Sequence, residues 1–456
     1  MRALILLFAV FSAVAQQPRI APWTANPAYW QMDGEPVLLL GASDDDNLFQ
    51  WPADKLAAHL DLLREAGGNY VRNTMSDRKD GDWEIYPHLR RPDGKYDLEA
   101  WNPEYWERFD RFLRMTAERK IVVQIEIWDR FDSSREHWTP HSYNPANNVN
   151  YTFAESGFAP EYPEHPGQNL QPFFFTTPGQ RNNTVVLRHQ QRFVDKMLSS
   201  ALRHGHVLYC VDNETKGEEE WSRYWARYVK RKAQEAGVRV FVTEMWDDWD
   251  VKAERHRRTT GHPELYDFAD FSQNNHNKGA QHWENAIWVR QTVPDRPVNA
   301  VKTYGADGFR FGNSQDGLER FWRHLMAGFA SARFHRPPAG LGLNETAQGA
   351  VRAARKIDGL VPFRSLRPDP EAPEGSEAYV SSAGGKFIVY LPKGGRVRLK
   401  APTGTYAVHW VRADRGTERQ ANVRSDGALR LEAPDSANWV AAVIRHPAPT
   451  ARGSVK

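Results

Sequence analysis

The feature that most constrains this chain is an eightfold alternation of β-type apolar runs with helical stretches. The runs occupy 36–43, 70–75, 121–128, 206–214, 239–247, 268–274, 297–304 and 331–337. Amphipathic stretches such as 53–66, 106–119, 190–203, 218–236 and 317–329 lie between them, with apolar residues at three- and four-residue spacing. Several end near glycine, as at Gly67-Gly68 and Gly237, which suits the left-handed residue that closes many helices. This number of βα units favours closure over an open doubly wound sheet, so the expected fold is α/β, a (β/α)8 TIM barrel. No glycine-rich dinucleotide fingerprint follows the first run, which counts against a nucleotide-binding sheet.

A barrel of ordinary size leaves part of the 456 residues over for an accessory domain. Helical periodicity stops at the proline-rich stretch Pro368-Asp369-Pro370-Glu371-Ala372-Pro373. Beyond it, short alternating runs at 378–381, 386–391, 396–399, 406–411, 428–431 and 439–444 read as a small all-β sandwich. The expected division is a signal peptide over 1–15, a barrel over 16–367, a sandwich over 368–446 and a tail over 447–456. The signal peptide is read from Arg2, an apolar core and the Ala13-Val14-Ala15 ending, and it implies a secreted or periplasmic protein with no membrane span after its removal. Cys210, the sole cysteine, lies in an apolar run and is expected as a small buried hydrophobe. A net charge of +3 with interspersed signs gives no reason to expect nucleic acid as a partner. The 17 Trp instead suit stacking on sugar C–H faces, so the expected partner is a carbohydrate and the expected state a monomer.

Barrel chemistry sits where strands end, so each run is read at its exit. The fourth exits through Asp212-Asn213-Glu214-Thr215 and the second through Arg72-Asn73. In this placement Asn213-Glu214 resembles clan A glycoside hydrolases, in which that Glu protonates the leaving oxygen and the Asn contacts a neighbouring sugar hydroxyl. Arg72 is similarly placed to the clan's carboxylate-supporting Arg. The C-terminal runs, with Gly394-Gly395, Gly404-Thr405-Tyr406, His409-Trp410 and Trp439-Val440, resemble the collagen-binding-type sandwich appended to several bacterial glycoside hydrolase families. In those families it is an accessory to the barrel, so no collagen binding is inferred.

One departure from the clan is plain: its nucleophilic Glu ends strand seven, where this chain carries Lys302. The second carboxylate that glycoside hydrolysis needs must come from elsewhere. The other exits offer Asp44 to Asp46, Glu126 and Asp129, and Glu244, Asp247 and Asp248. Glu244 is preferred, because strand five adjoins strand four and Glu244 ends its run. Glu214 and Glu244 are therefore the expected catalytic pair, the first as general acid and the second as base or nucleophile. Arg72, Asn213, Glu126, Trp128, Trp246, Asn274, His276, Lys302, Tyr304, Arg333 and His335 are the expected substrate contacts. The 130–184 connection is long and aromatic, and reads equally as a cleft wall or as a packed insertion. No metal-binding pattern occurs and no cofactor is implied. Two other functions fit parts of the pattern: a non-catalytic carbohydrate-binding protein on a decayed barrel, and a lyase on an acidic glycan that uses Lys302, Tyr304, Arg333 and His335.

Overall fold

The structure is a computed structural model that describes residues 19–78, 83–369 and 373–447. The expected signal peptide lies outside the described residues. Eight parallel strands form the barrel: β1 Leu39–Ala42, β2 Tyr70–Thr74, β3 Val122–Asp129, β4 Val207–Asn213, β5 Val242–Thr243, β6 Ala269–Asp270, β7 Val298–Asn299 and β8 Ser331–Phe334. Strands β5, β4, β3, β2, β1 and β8 pair in that order, and β6 pairs with β7. The ring closes because the Asp267 amide donates to the Val242 carbonyl at 2.8 Å and the Arg333 amide to the Ala300 carbonyl at 3.0 Å. Each strand is followed by a helix: α1 Ala53–Glu65, α2 Pro103–Glu118, α3 Thr184–Ala201, α4 Glu219–Glu235, α5 Glu254–Thr260, α6 Gly279–Thr292, α7 Ser314–Met326 and α8 Glu345–Leu360. Side-chain caps from Asn102, Asn183, Asn313 and Asn344 fix four of their starts.

The two-residue period of the strands sorts their side chains. Val123, Ile125 and Ile127 of β3 and Val207, Tyr209 and Val211 of β4 join the core between strands and helices. Val122, Leu208 and Cys210 instead face inward, with Leu39, Tyr70, Phe241 and Phe268, around Trp30. Trp30 belongs to an antiparallel sheet of Ile20–Trp23, Asn26–Met32 and Glu35–Val37 that closes the N-terminal end of the barrel. Its indole donates to Asn299 at 2.9 Å. Above this apolar floor lies a polar layer in which the Tyr70 hydroxyl donates to Gln124 at 2.5 Å and Gln124 donates to Asp270 at 3.1 Å.

Antiparallel strands from Arg367–Pro368 to Trp439–Arg445 form the C-terminal sandwich, with sheets of six and three strands. It is docked firmly on α7 and α8. The Trp322 indole donates to the Ala413 carbonyl at 3.1 Å and stacks on Tyr390 at 5.6 Å. Gly349 allows α8 to lie against the sandwich, since a Cβ there would fall 1.9 Å from the Asp414 carbonyl oxygen. The long 130–184 connection packs Trp138, Tyr143, Tyr151, Phe158, Phe173 and Phe174 into the barrel's own core. For these six rings the packed insertion is the correct reading.

Candidate active site

Side chains from the exits of all eight strands converge at the C-terminal mouth. Beneath it, the Arg72 guanidinium spans two carboxylates: it meets Glu126 at 2.6 and 2.7 Å and also pairs with Asp46. Asp46 in turn receives Arg336 at 2.7 Å and faces His335 at 3.7 Å. Burial alone would raise the Asp46 carboxyl, but the Arg72 and Arg336 cations outweigh it and hold it well below the usual carboxylate range. Burial acts on His335 the other way, keeping its imidazole neutral well below the usual histidine range, with the Arg72 and Lys302 cations adding to the effect and Asp46 opposing it. Arg333, inside the barrel, donates to the Val301 carbonyl at 2.8 Å and to Ser43.

Glu214 stands above this layer with backbone φ of +52°, a left-handed conformation that costs a non-glycine residue and often marks a functional position. Its carboxylate accepts from the Tyr304 hydroxyl at 2.8 Å and pairs with the Lys302 ammonium at 2.8 Å. Lys302 also donates to Asn213, whose own amide donates to Asp129 at 2.8 Å. The strained segment is braced from behind by Arg130, which donates to Thr215 at 2.8 Å and pairs with Asp212 at 3.2 Å. Burial opposes ionisation of Glu214, yet the Lys302 charge and hydrogen bonds from Lys302 and Tyr304 lower its pKa far below the ordinary glutamate value. This clamp favours the anionic form of Glu214, where the sequence suggested a carboxyl that rests protonated.

Asp247 supplies the contrasting carboxyl. Its amide donates to the Thr215 carbonyl at 2.8 Å, which holds the end of strand five against the Glu214 segment. Burial, and after it the charge of Glu214, raises the Asp247 pKa, while Lys216 at 3.5 Å opposes the shift. Both carboxyl side chains reach solvent, at 19% exposure for Glu214 and 28% for Asp247. His276, exposed and set edge-on to Phe311 at 4.8 Å, borders the same opening, as does Tyr304, which lies against His335 at 4.4 Å.

The other preferred carboxylate is not here. Val242 points to the helix layer, so the two-residue period sends Glu244 outward as well. There its carboxylate accepts from the amides of Asp212 at 3.0 Å and Met245 at 2.8 Å, and burial beside Asp212 raises its pKa well above the usual range. The expectation of Glu244 as second catalytic carboxylate is corrected accordingly. Trp128 is likewise corrected, because alternation breaks after Ile127 and the ring packs outward on Trp225 at 5.1 Å. Trp246 is buried, with its indole on Thr259 at 2.7 Å, and Asn274 spends its amide on the His282 carbonyl at 3.0 Å. Glu126 and Arg333 are fully buried below the mouth and support it without reaching substrate.

Two residues at the mouth carried no weight in the sequence, Lys216 and Trp249. Trp249 is 62% exposed, and the side chain of Asn277 holds its carbonyl at 3.2 Å. Its neighbours gave the available signal, since a lone indole in Asp247-Asp248-Trp249-Asp250 has no apolar company to bury it.

Solved structures share this architecture. The chain is similar to a protein described as a glycoside hydrolase, with a TM-score of 0.64 at 10% identity over 94% of this chain and 97% of that one. It is also similar to a glycoside hydrolase family 5 protein from Bacteroides vulgatus ATCC 8482, with a TM-score of 0.60 at 12% identity over 94% and 95% of the two chains. At such identities the likeness is one of fold, and the barrel-plus-sandwich architecture expected from the clan A resemblance is present. No family model matches the sequence, and no curated protein matches it.

Proposed function

We propose that this chain is a glycoside hydrolase that cleaves a polysaccharide or oligosaccharide outside the cytoplasm, with Glu214 as the ionised carboxylate and Asp247 as the proton donor. The supporting observation is the unequal treatment of two solvent-reaching carboxyl groups at one mouth. Lys302 and Tyr304 hold Glu214 as an anion, while burial and Glu214's own charge favour the proton on Asp247. Separating two carboxyl groups in this way is how acid and base are assigned in glycosidases. The signal peptide expected from the sequence and the C-terminal sandwich agree with an extracellular glycan as substrate.

The alternative of a decayed, purely carbohydrate-binding barrel takes its force from Lys302 at the strand-seven exit. Two of the bases open to the lyase reading are disfavoured: Lys302 is engaged by Glu214, and burial together with Glu214's charge keeps the Tyr304 phenol protonated well above its ordinary range. The test is product release from a panel of plant, algal and bacterial polysaccharides by wild type, Glu214→Gln and Asp247→Asn. Hydrolysis by wild type, lost in both variants, is expected. Binding without turnover in the wild type would establish the decayed barrel, and an ultraviolet-absorbing unsaturated product the lyase. NMR of the newly formed anomeric centre then assigns Glu214 as nucleophile if configuration is retained and as base if it is inverted.

A further inference from the structure

The opposite end of the barrel carries a second concave surface. A groove of about 660 Å3 runs between the N-terminal sheet, the end of α6 and the chain that enters the sandwich. It is lined by three guanidinium groups, Arg290, Arg364 and Arg367, together with Tyr29, Asn26 and Gln291, and by no carboxylate. Arg364 has Asp358 at 3.9 Å. Among the described residues, neither Arg290 nor Arg367 has a carboxylate within 4 Å, and Asp295, in the turn after α6, lies 3.8 Å from Arg296. The Arg290 guanidinium is held in place by main-chain carbonyls alone, those of Arg296 at 3.0 Å and Ala28 at 3.5 Å. Gly328, with a φ of +83° that favours glycine, turns the chain beside Tyr29 and Arg290 at the edge of the groove.

We infer that this groove is a second binding site, remote from the catalytic mouth, for an oligosaccharide bearing carboxylate or sulfate groups. A lone inorganic anion would leave most of the groove empty, whereas this volume is in the range that accommodates a small organic ligand. Guanidinium forks match carboxylate and sulfate oxygens, and the Asn26, Gln291 and Ser365 side chains offer partners for ring hydroxyls. Burial lowers the Arg290 pKa to about 10, with Tyr29 and Asp295 only partly opposing it, so an arriving anion would meet a cation that has no ion-pair partner within 4 Å among the described residues. The saccharide identity of the ligand rests on the glycan-directed reading of the mouth; the anionic character rests on the groove.

Calorimetric titration of the full chain carrying Glu214→Gln tests this, with digalacturonate, a sulfated disaccharide, cellobiose and inorganic sulfate as separate probes. At least one anionic disaccharide is expected to bind, more tightly than cellobiose and inorganic sulfate, and more weakly as salt is raised. Arg367→Glu, on an exposed side chain, and Arg364→Gln should each weaken that binding about tenfold or more, while leaving wild-type turnover of a short neutral substrate unchanged. The two acidic arms distinguish uronate from sulfate. Equal binding of cellobiose, equal binding of inorganic sulfate, or an unchanged affinity in both arginine variants would overturn the site. Groove binding in a chain that hydrolyses nothing would leave this inference standing while removing the proposed activity. Hydrolysis without such binding would do the reverse.

Discussion

The floor and the mouth of the barrel are built by the same strands with the same alternation, yet they hold opposite chemistry. At the floor Leu39, Tyr70, Val122, Leu208 and Phe268 meet Trp30. Near the mouth, Arg72 and Glu126 take their place one and two inward positions further along β2 and β3, joined by Asp46 and Lys302 from the segments beyond β1 and β7. Apolar burial stabilises the closed ring directly, at roughly 25 cal/mol per Å². Buried ion pairs do so poorly, because desolvation offsets most of their attraction. The floor therefore specifies closure, and the charged mouth is what the proposed catalytic role would require.

The comparison breaks most sharply at Glu214. Glu214→Gln should lower turnover by about 10²–10⁴-fold, the usual worth of a positioned acid or base, while the melting temperature stays close to wild type. A comparable substitution at the floor, Leu208→Ala, should cost about 2–5 kcal/mol of stability in denaturant titration and affect turnover only through folding. Wild-type turnover by Glu214→Gln would remove the catalytic reading of the mouth.

The next test concerns stability alone. Arg72→Met leaves Glu126 and Asp46 buried without their shared cation and should cost about 3–5 kcal/mol. Replacing the three together by well-packed apolar residues should recover most of that loss and still give an inactive protein. If the triple variant stays as unstable as the single one, the ionic layer is structural after all and the contrast with the floor fails.

The sequence carried the floor better than the mouth. Seven of the eight barrel strands fall wholly within expected apolar runs and β3 overruns its run only by Asp129, because inward and outward apolar residues both mark them. In the sandwich, Glu418–Ser425 escaped notice: it is a polar, largely exposed strand at a sheet edge, with no alternation to read. At the mouth, Asn213, Glu214, Lys302 and Tyr304 were legible from strand position, and the structure brings them together. Glu244 and Trp128 were misread because an apolar run shows where a strand ends but not which face its last residues take. For Trp128 a single break in alternation decided the matter. Lys216 and Trp249 lie on loops, where no period assigns a direction.

Lys302 offers a subtler probe. The reaction needs Glu214 ionised, so the acidic limb of the pH profile follows the Glu214 pKa. Lys302→Met removes the cation that depresses this pKa and should move the acidic limb upward by about 1–3 pH units, together with a fall in kcat. Lys216→Met should act on the other limb: Lys216 lowers the Asp247 pKa, so its loss should let the donor keep its proton to higher pH and extend activity there. Lys302→Glu, which restores the clan residue without its surroundings, should not rescue turnover.

The smallest expected effect lies at the rim. Trp249 is two residues beyond Asp247, on the connection from β5 to α5, and presents most of its surface to water while the other large aromatic rings of the mouth and barrel are largely buried. An exposed indole costs solvation free energy that no internal contact returns, but a sugar ring laid on its face would cover it. Such stacking is worth about 0.5–1.5 kcal/mol, which corresponds to a change of roughly 2- to 12-fold in affinity. Trp249→Ala should therefore raise KM on an oligosaccharide by that factor with kcat nearly unchanged, because the indole would grip the substrate equally in the ground and transition states. Trp249→Phe should restore part of the loss. A short substrate that does not extend past Asp247 should show no change in either variant. If KM for the longer substrate is also unchanged, the exposed ring is not a sugar platform, and the mouth binds through its charged and hydrogen-bonding groups alone.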